Sequence, residues 1–318
     1  MAPKVCVVVL SWNGRRWLES CLRSVLLTDY SDFQVVVVDN ASEDGSADFL
    51  RERFPEVEVV VNPCNLGFAG GNNAGIARAL DGGARYVVLL NQDTVVQAGW
   101  VRALIEVAEG DDRIGILSPF QDDYEGKELD PVFHNLVRDN TPFFQDRARG
   151  AVAECYEVPT VIGAAMMLRR EVVERVGAFD PVYFAYFEEK DLCRRARASG
   201  FRLTVVPDSR IGHWHGQIHA DQSLAPVDAL FLRNRQVYLL KDPAQPFWKN
   251  LYIYLRYGLP GSLLGRYDAP LRHPGLWASL KIQAGVLAQI PRIARRRRQD
   301  RRRIAACRAW LQEAASPR

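Results

Sequence analysis

The chain has 318 residues, 48% of them hydrophobic and 25% charged, which suits one large soluble domain, or one with an appendage, able to bury a substantial core. Its formal net charge of +3 hides an asymmetry: residues 292–303 carry eight arginines and one acid, Asp300, so the rest is slightly acidic. The six cysteines lie far apart with no CxxC or CxxxC, which excludes a zinc knuckle or thioredoxin-type pair, and no apolar run of about 18 residues predicts a spanning helix.

Met1-Ala2-Pro3-Lys4 leads straight into an apolar run, so no signal peptide is expected. Val5 to Leu10 reads as a buried strand, followed by the turn Ser11-Trp12-Asn13-Gly14. A helix then follows, with Trp17, Leu18, Cys21, Leu22 and Val25 at three- and four-residue spacings. Val35 to Val38 is a second strand, Ser46 to Phe54 a short helix and Val57 to Val61 a third strand. Residues 62–73, rich in Gly and Asn, read as a turn before a helix over Ala74 to Leu80, and Tyr86 to Leu90 is the fourth strand. Strands alternating with helices predict parallel pairing through right-handed crossovers in a Rossmann-like open α/β sheet.

From Gln121 to Tyr156 the periodicity dissolves, as in a long loop or subdomain, and it returns at Val158 to Leu168 and Arg202 to Val206. Cys6 and Cys193 sit in apolar-periodic segments, as buried reduced thiols would. The last 70 or so residues contain an aromatic and aliphatic stretch, Leu251 to Leu264, then an amphipathic helix, Leu276 to Ile290, and the arginine run.

A dinucleotide site requires GxGxxG at the first strand-to-helix turn, where Ser11-Trp12-Asn13-Gly14 stands, and a GxxxxGK[ST] loop is also absent. The turns offer polar edge recognition instead. Asp39 can accept a hydrogen bond from a uracil or thymine imide N–H, or can cap an Asx turn. Asn65 to Asn73 combines amides with glycines, which lets backbone approach a sugar or diphosphate, or makes no more than a glycine-rich turn. Ligands of open α/β sheets bind beyond the carboxyl ends of the strands, so Asp93, in the acidic turn after Tyr86 to Leu90, is placed to meet a hard cation or a phosphate.

Glu188, Glu189 and Asp191 open a helical pattern, where they either balance the helix dipole or, beside Phe184, Tyr186 and Phe187, gain the raised pKa of a general base. His213 and His215 follow a strand and can present imidazole to a metal shared with Asp93.

Leu10 to Gly14, Val38 to Ser46, Asn65 to Asn73 and Asn91-Gln92-Asp93, in this order, resemble family 2 glycosyltransferases, in their rhamnosyltransferase-like branch, over residues 4–240. The resemblance implies a GT-A fold: a mainly parallel sheet flanked by helices, with residues 1–120 as nucleotide-binding half, 121–240 as acceptor and catalytic half, and 241–318 as a helical basic extension. It implies an inverting enzyme that uses Mg²⁺ or Mn²⁺ to move a sugar from deoxythymidine-diphospho-rhamnose or a uridine-diphosphate hexose. The acceptor would be a hydroxyl of a glycan or lipid-linked molecule in cell-surface polysaccharide synthesis.

By position, Asn91-Gln92-Asp93 matches the family's metal-binding DxD with Asn91 in place of its first acid, leaving Asp93 and His213 as metal ligands. Ser11, Asn13, Asp39, Asn65, Gly67, Gly71, Asn72, Asn91 and Gln92 fall at the donor site. Glu189 matches the base, with Glu188 and Asp191 as rivals. The other reading is a non-catalytic nucleotide-sugar or polysaccharide binding protein on the same fold.

The arginine run next to an amphipathic helix, with Trp277, Leu280, Ile282 and Leu287 on or near its apolar side, points to an anionic membrane surface rather than nucleic acid. A cytoplasmic protein, peripheral on the inner face of the cell membrane, is the expected setting.

Overall fold

The computed structural model describes residues 2–214, 225–264 and 275–314. Strand and helix alternate at first: β1 (Val5–Ser11), α1 (Arg15–Leu26), β2 (Phe33–Asp39), α2 (Ser46–Arg53), β3 (Glu58–Val61), α3 (Gly67–Asp81) and β4 (Tyr86–Asn91). Next come β5 (Thr94–Val96), α4 (Trp100–Gly110), β6 (Ile114–Asp123), α5 (Pro131–Asn140), α6 (Phe143–Ala148), β7 (Tyr156–Glu157) and β8 (Ala165–Arg169). A π-helical turn (Val172–Val176), α7 (Glu188–Ala198), β9 (Arg202–His213) and α8 (Ala225–Leu240) complete the body. The C-terminal segment holds α9 (Phe247–Ile253), a π-helical turn (Tyr254–Gly258), α10 (Leu259–Leu263), α11 (Leu276–Ala288) and α12 (Ile290–Ala314).

Among the described residues the strands form one nine-stranded sheet, ordered β3-β2-β1-β4-β8-β6-β9-β5, with β7 beside β9. The first four strands pair in parallel, while β8 enters antiparallel between β4 and β6. Odd-numbered valines of β1 and β2 pack under α1 and α4, and even-numbered ones join Cys6 against α3. Helices cover both faces, which is why these strands read as unbroken apolar runs rather than alternating ones. Burial pushes the Cys6 thiol up to about 12 and the Cys193 thiol to about 11, so both stay protonated and inert.

Three elements depart from the sequence expectation. Helix α3 begins at Gly67, seven residues before Ala74, because its glycines serve contact with the sheet: a Cβ on Gly71 would lie 2.4 Å from Leu10 and one on Gly75 2.1 Å from Val8. Close packing there outweighs the low helix propensity of glycine. The irregular region from Gln121 contains the end of β6 plus α5 and α6. Strand β9 runs past Pro207 to His213 because its pairing with β6 jumps from Pro119↔Val206 to Phe120↔Arg210. Residues 207–209 bulge out, which removes the need for a ladder N–H at the proline.

A third apolar cluster joins Tyr183 and Phe187 to Val237, Leu240, Tyr254, Val286 and Ile293, so the C-terminal helices pack onto the segment that leads into α7.

Candidate active site

Parallel registration sets Ser11 opposite Asp39 and Leu10 opposite Asn91, so the turns after β1, β2 and β4 open along one sheet edge. The first two turns are laced together. Asn13, at φ 49°, donates its N–H to Ser42 Oγ at 2.9 Å, and its Oδ1 accepts from the Glu43 N–H at 2.9 Å. Gln92 pairs with the Trp12 backbone in both directions, at 3.0 and 3.2 Å. Gly14 is required beside it, since a Cβ there would lie 1.9 Å from the Gln92 amide. Asn13 and Gln92, expected at the donor site, brace these turns to one another.

Asp39 is 1% exposed and makes the Asx turn open to it in the sequence. Its Oδ1 accepts the Ser42 N–H at 2.9 Å in an Asx turn, while Oδ2 is buried with no hydrogen-bond partner among the described residues. Ser11 Oγ, in the paired register position, is likewise buried and unpartnered among those residues. Buried polar atoms are nearly always bonded, so these two oxygens mark a place suited to the N–H and O–H groups of a ligand.

The Gly- and Asn-rich segment is organised from within. Asn40 donates to Asn65 Oδ1 at 2.8 Å and to the Gly67 carbonyl at 3.2 Å, and its Oδ1 accepts from Asn62 Nδ2 and the Leu66 N–H, both at 3.0 Å. Asn65 Oδ1 also takes the Gly67 N–H at 2.8 Å, and Asn72 donates to the Phe68 carbonyl of its own helix at 3.0 Å. Gly67, at φ 72°, meets Phe184, because a Cβ would lie 2.5 Å from that ring. Asn65, Gly67, Gly71 and Asn72, expected at the donor site, make these contacts within the protein. Nothing in the sequence distinguishes Asn40 from other loop asparagines, and only the fold gives it this part.

The bulged β9 brings His213 opposite Thr94 of β5. Its Nε2 lies 3.7 Å from Asp93 Oδ1 and its Nδ1 3.7 Å from Asp130 Oδ2. Asp130 is fully buried and caps α5, its Oδ1 accepting the Val132 and Phe133 N–H groups at 2.9 Å. An imidazole with one nitrogen toward a carboxylate and the other toward a prospective ligand has the backing typical of a metal-binding histidine. Asp130, missed in the sequence, shows there only as an Asp-Pro helix start.

Among the described residues no three His, Cys, Asp or Glu side chains gather as a metal cage. Asp93 and His213 could supply two ligands to a divalent ion, too few for a site built from the protein alone. His215 lies outside the described residues.

Across from this edge, α7 opens on Glu188 and Glu189. Three residues before it take positive φ without being glycine: Phe184 at 62°, Tyr186 at 68° and Phe187 at 74°. Such strain persists where surroundings over-determine it. Here Asn234 of α8, fully buried, donates to the carbonyls of Tyr183, Ala185 and Tyr186 at 2.7, 2.7 and 2.9 Å, while the Ala69 N–H donates to the Phe184 carbonyl at 2.9 Å.

Glu188 is buried and Glu189 half-buried, and each has a shielded Oε2 with no hydrogen-bond partner among the described residues. Burial, then the Glu189 charge, pushes the Glu188 carboxyl well above the usual carboxylate range, and burial also raises Glu189.

Asp191 differs. Burial alone would raise its pKa, but Lys241, Arg195 and Arg194 hold it below the ordinary value. It accepts from Arg195 Nε at 2.8 Å, from Lys241 Nζ at 3.1 Å and from the Tyr183 hydroxyl at 3.1 Å. Fully engaged, it anchors α7 and is poorly suited to take a proton from an acceptor.

Gly163-Ala164 connects the two halves. The Ala164 carbonyl accepts the Asn91 N–H at 2.9 Å, and a Cβ on Gly163 would contact Phe68 at 3.4 Å and Glu189 Cβ at 4.0 Å. The sheet-edge turns, the Asp93–His213 pair and a desolvated carboxylate thus line one region.

The model of the family described as "Glycosyl transferase family 2" matches residues 6–177, more than half of the chain. The N-acetylglucosaminyl-diphospho-decaprenol L-rhamnosyltransferase of Mycobacterium tuberculosis is 28% identical over 297 residues, covering 86% of this chain and 94% of that one. The low-salt glycan biosynthesis hexosyltransferase Agl10 of Haloferax volcanii is 28% identical over 54% of this chain and 55% of its own.

Solved structures share the fold at lower identity. The mannosyltransferase PcManGT from Pyrobaculum calidifontis, in complex with GDP-Man and Mn²⁺, superposes with a TM-score of 0.57 at 18% identity, over 98% of this chain and 88% of that one. TarS 1–349 of S. aureus, in complex with UDP-GlcNAc, gives 0.57 at 15% identity, over 99% and 93%. With the family match and the sheet-edge site in agreement, this chain belongs to glycosyl transferase family 2.

Proposed function

We propose that the protein transfers a deoxy-hexose or hexose from a nucleoside-diphosphate sugar to a hydroxyl of a lipid-linked glycan, with inversion at the anomeric carbon. The observation that carries this reading is the desolvated Glu189 carboxylate, whose Oε2 has no hydrogen-bond partner among the described residues, near the sheet edge that holds Asp39, Asp93 and His213.

Asp39 Oδ2 and Ser11 Oγ suit the imide edge and nearby polar atoms of a uracil or thymine ring. Asp93 and His213 would hold a divalent cation, which supplies charge stabilisation for the departing diphosphate. Asp130 keeps the His213 ring oriented toward Asp93. Glu189 accepts the proton of the acceptor hydroxyl at Oε2 as that oxygen bonds to the anomeric carbon and the diphosphate oxygen departs from the opposite face, with oxocarbenium-like charge developing on the sugar. Burial and the neighbouring Glu189 charge favour the neutral form of Glu188, which lessens repulsion on the base.

Rhamnose is favoured as the sugar, and a polyprenyl diphosphate-linked sugar as acceptor, because the mycobacterial relative carries both in its description and matches nearly end to end. Glu189→Gln is expected to abolish transfer and leave donor affinity intact, by calorimetry with deoxythymidine-diphospho-rhamnose and uridine-diphosphate hexoses. Full turnover in that variant removes Glu189 as base. Absence of donor binding by the native protein removes the reading as a whole.

A further inference from the structure

The C-terminal helices bury polar side chains beside the apolar Tyr254, Val286 and Ile293, and leave several large apolar ones exposed. In α11 the buried positions include Ser279 and Gln283, whereas Trp277 is 79% exposed and Leu276, Leu280 and Leu287 are exposed too. In α9 the buried residue is Asn250, while Trp248, at 70%, and Tyr252 face outward, and α10 buries Ser262. Trp248, Tyr252 and Leu255 follow one another at helical spacing, which makes a continuous stripe from α9 into the π-helical turn.

The polar interior is bonded: the Tyr254 hydroxyl donates to Gln283 Oε1 at 2.8 Å, and Gln283 Nε2 donates to Ser262 Oγ at 2.8 Å. Large apolar side chains grouped on the outward side of helices mark an interaction surface. Among the described residues no helix is long and apolar enough to cross a membrane. Tryptophan and tyrosine on the outer side of short helices suit the headgroup–acyl boundary of a bilayer, where an apolar ring and a polar edge are both accommodated.

The arginine run divides its work. Arg296 pairs with Asp180 at 2.5 Å and Arg303 reaches the Val176 carbonyl at 3.5 Å, so these two brace α12 against the body, while Arg297 ties it to the carbonyls of Asp242 and Gln245 before α9. Arg295, Arg298 and Arg302 are exposed at helical spacing. Phe247, which opens α9, lines one groove of about 410 Å³ together with Arg298, Arg301 and Arg302, so the apolar helices and the outward arginines adjoin. Guanidinium groups beside an apolar face match anionic headgroups above acyl chains.

We infer that the outward apolar face of α9 to α11 docks the protein into the interface of an anionic membrane, with the exposed arginines of α12 adding headgroup attraction and the inward ones acting as structural braces. This rests on the reading that the acceptor is lipid-linked, and it assigns membrane attachment to the aromatic face rather than to the arginine run.

The test is flotation of the full chain with phosphatidylglycerol-rich vesicles and with phosphatidylcholine vesicles, alongside donor binding as a check on folding. Trp248→Ser/Tyr252→Ser/Trp277→Ser is expected to weaken vesicle binding at least about tenfold. Arg295→Gln/Arg298→Gln/Arg302→Gln should remove the preference for anionic lipid while part of the binding persists. Three outcomes overturn the inference: unchanged flotation of the aromatic variant, loss of flotation only in the arginine variant, or no flotation of the native protein. A native dimer in sedimentation that the aromatic substitutions convert to monomer also overturns it, since the face would then join two copies. None of these outcomes touches donor binding or the Glu189 assignment, so the glycosyl-transfer reading stands or falls separately.

Discussion

Asn234→Ala removes the clamp on the loop that delivers Glu188 and Glu189. The two amide hydrogens of Asn234 are shared by three backbone carbonyls at 2.7, 2.7 and 2.9 Å, all in the strained stretch that contains Phe184, Tyr186 and Phe187 at φ 62–74°. Losing about two buried bonds, at about 0.5–1.5 kcal/mol each, costs about 1–3 kcal/mol. The three strained residues store about 1–3 kcal/mol each, about 3–9 kcal/mol together, which exceeds the clamp, so the loop relaxes once the clamp is gone. A shift of about 1 Å in a reacting group can lower turnover about 100-fold.

The proposed donor contacts lie on the β1, β2 and β4 turns, which Asn234 does not reach, so donor affinity should stay within about twofold. The assay pairs steady-state transfer with calorimetric donor binding and thermal unfolding. Asn234→Asp, which keeps the shape and loses the donors, should behave like the alanine variant. The expected stability loss accompanied by unchanged kcat would refute the idea that this amide sets the position of the catalytic carboxylates.

Other expectations follow from the same geometry. Burial and the Glu189 charge raise the Glu188 pKa in the folded protein, so its stabilising contribution is complete below the unfolded pKa and fades as pH rises through the folded value. Glu188→Gln should therefore raise the melting temperature near about pH 8 and change little near about pH 4; an equal gain at both would contradict the sign. Because burial also raises Glu189, the acid limb of kcat/KM should lie above the ordinary glutamate range, and a limb near about pH 4 would point to a solvated base. Asp130→Asn leaves the α5 cap largely in place but weakens the hold on His213, so apparent Mn²⁺ affinity in a metal titration should drop about tenfold or more. Unchanged metal dependence would detach Asp130 from that role.

The α/β alternation, the four parallel strands and the positions of Asp39, Asp93 and the Glu188-Glu189 pair were legible in the sequence, because apolar runs ending in polar turns record which strands are buried and where they stop. The motif order carried the family for the same reason: each motif sits where a strand meets the sheet edge. The start of α3 at Gly67 was not legible, since glycine lowers helix propensity locally and only proximity to Leu10 and Val8 explains why it is tolerated.

Nor could spacing separate Glu189 from Asp191, two residues apart on one helix. Lys241, far along the chain, and Arg195 neutralise Asp191 and leave the glutamates unpaired. Asn40, Asp130 and Asn234 act through partners remote in sequence or through a ring brought near by β9, so no local pattern announces them. The sequence by itself determined which segments are buried and which chemistry each turn carries, because hydrophobic periodicity and side-chain type are local properties. Tertiary structure alone decided which polar atoms found partners, and so which carboxylates brace the fold and which remain for chemistry, because pairing depends on neighbours that only folding brings together.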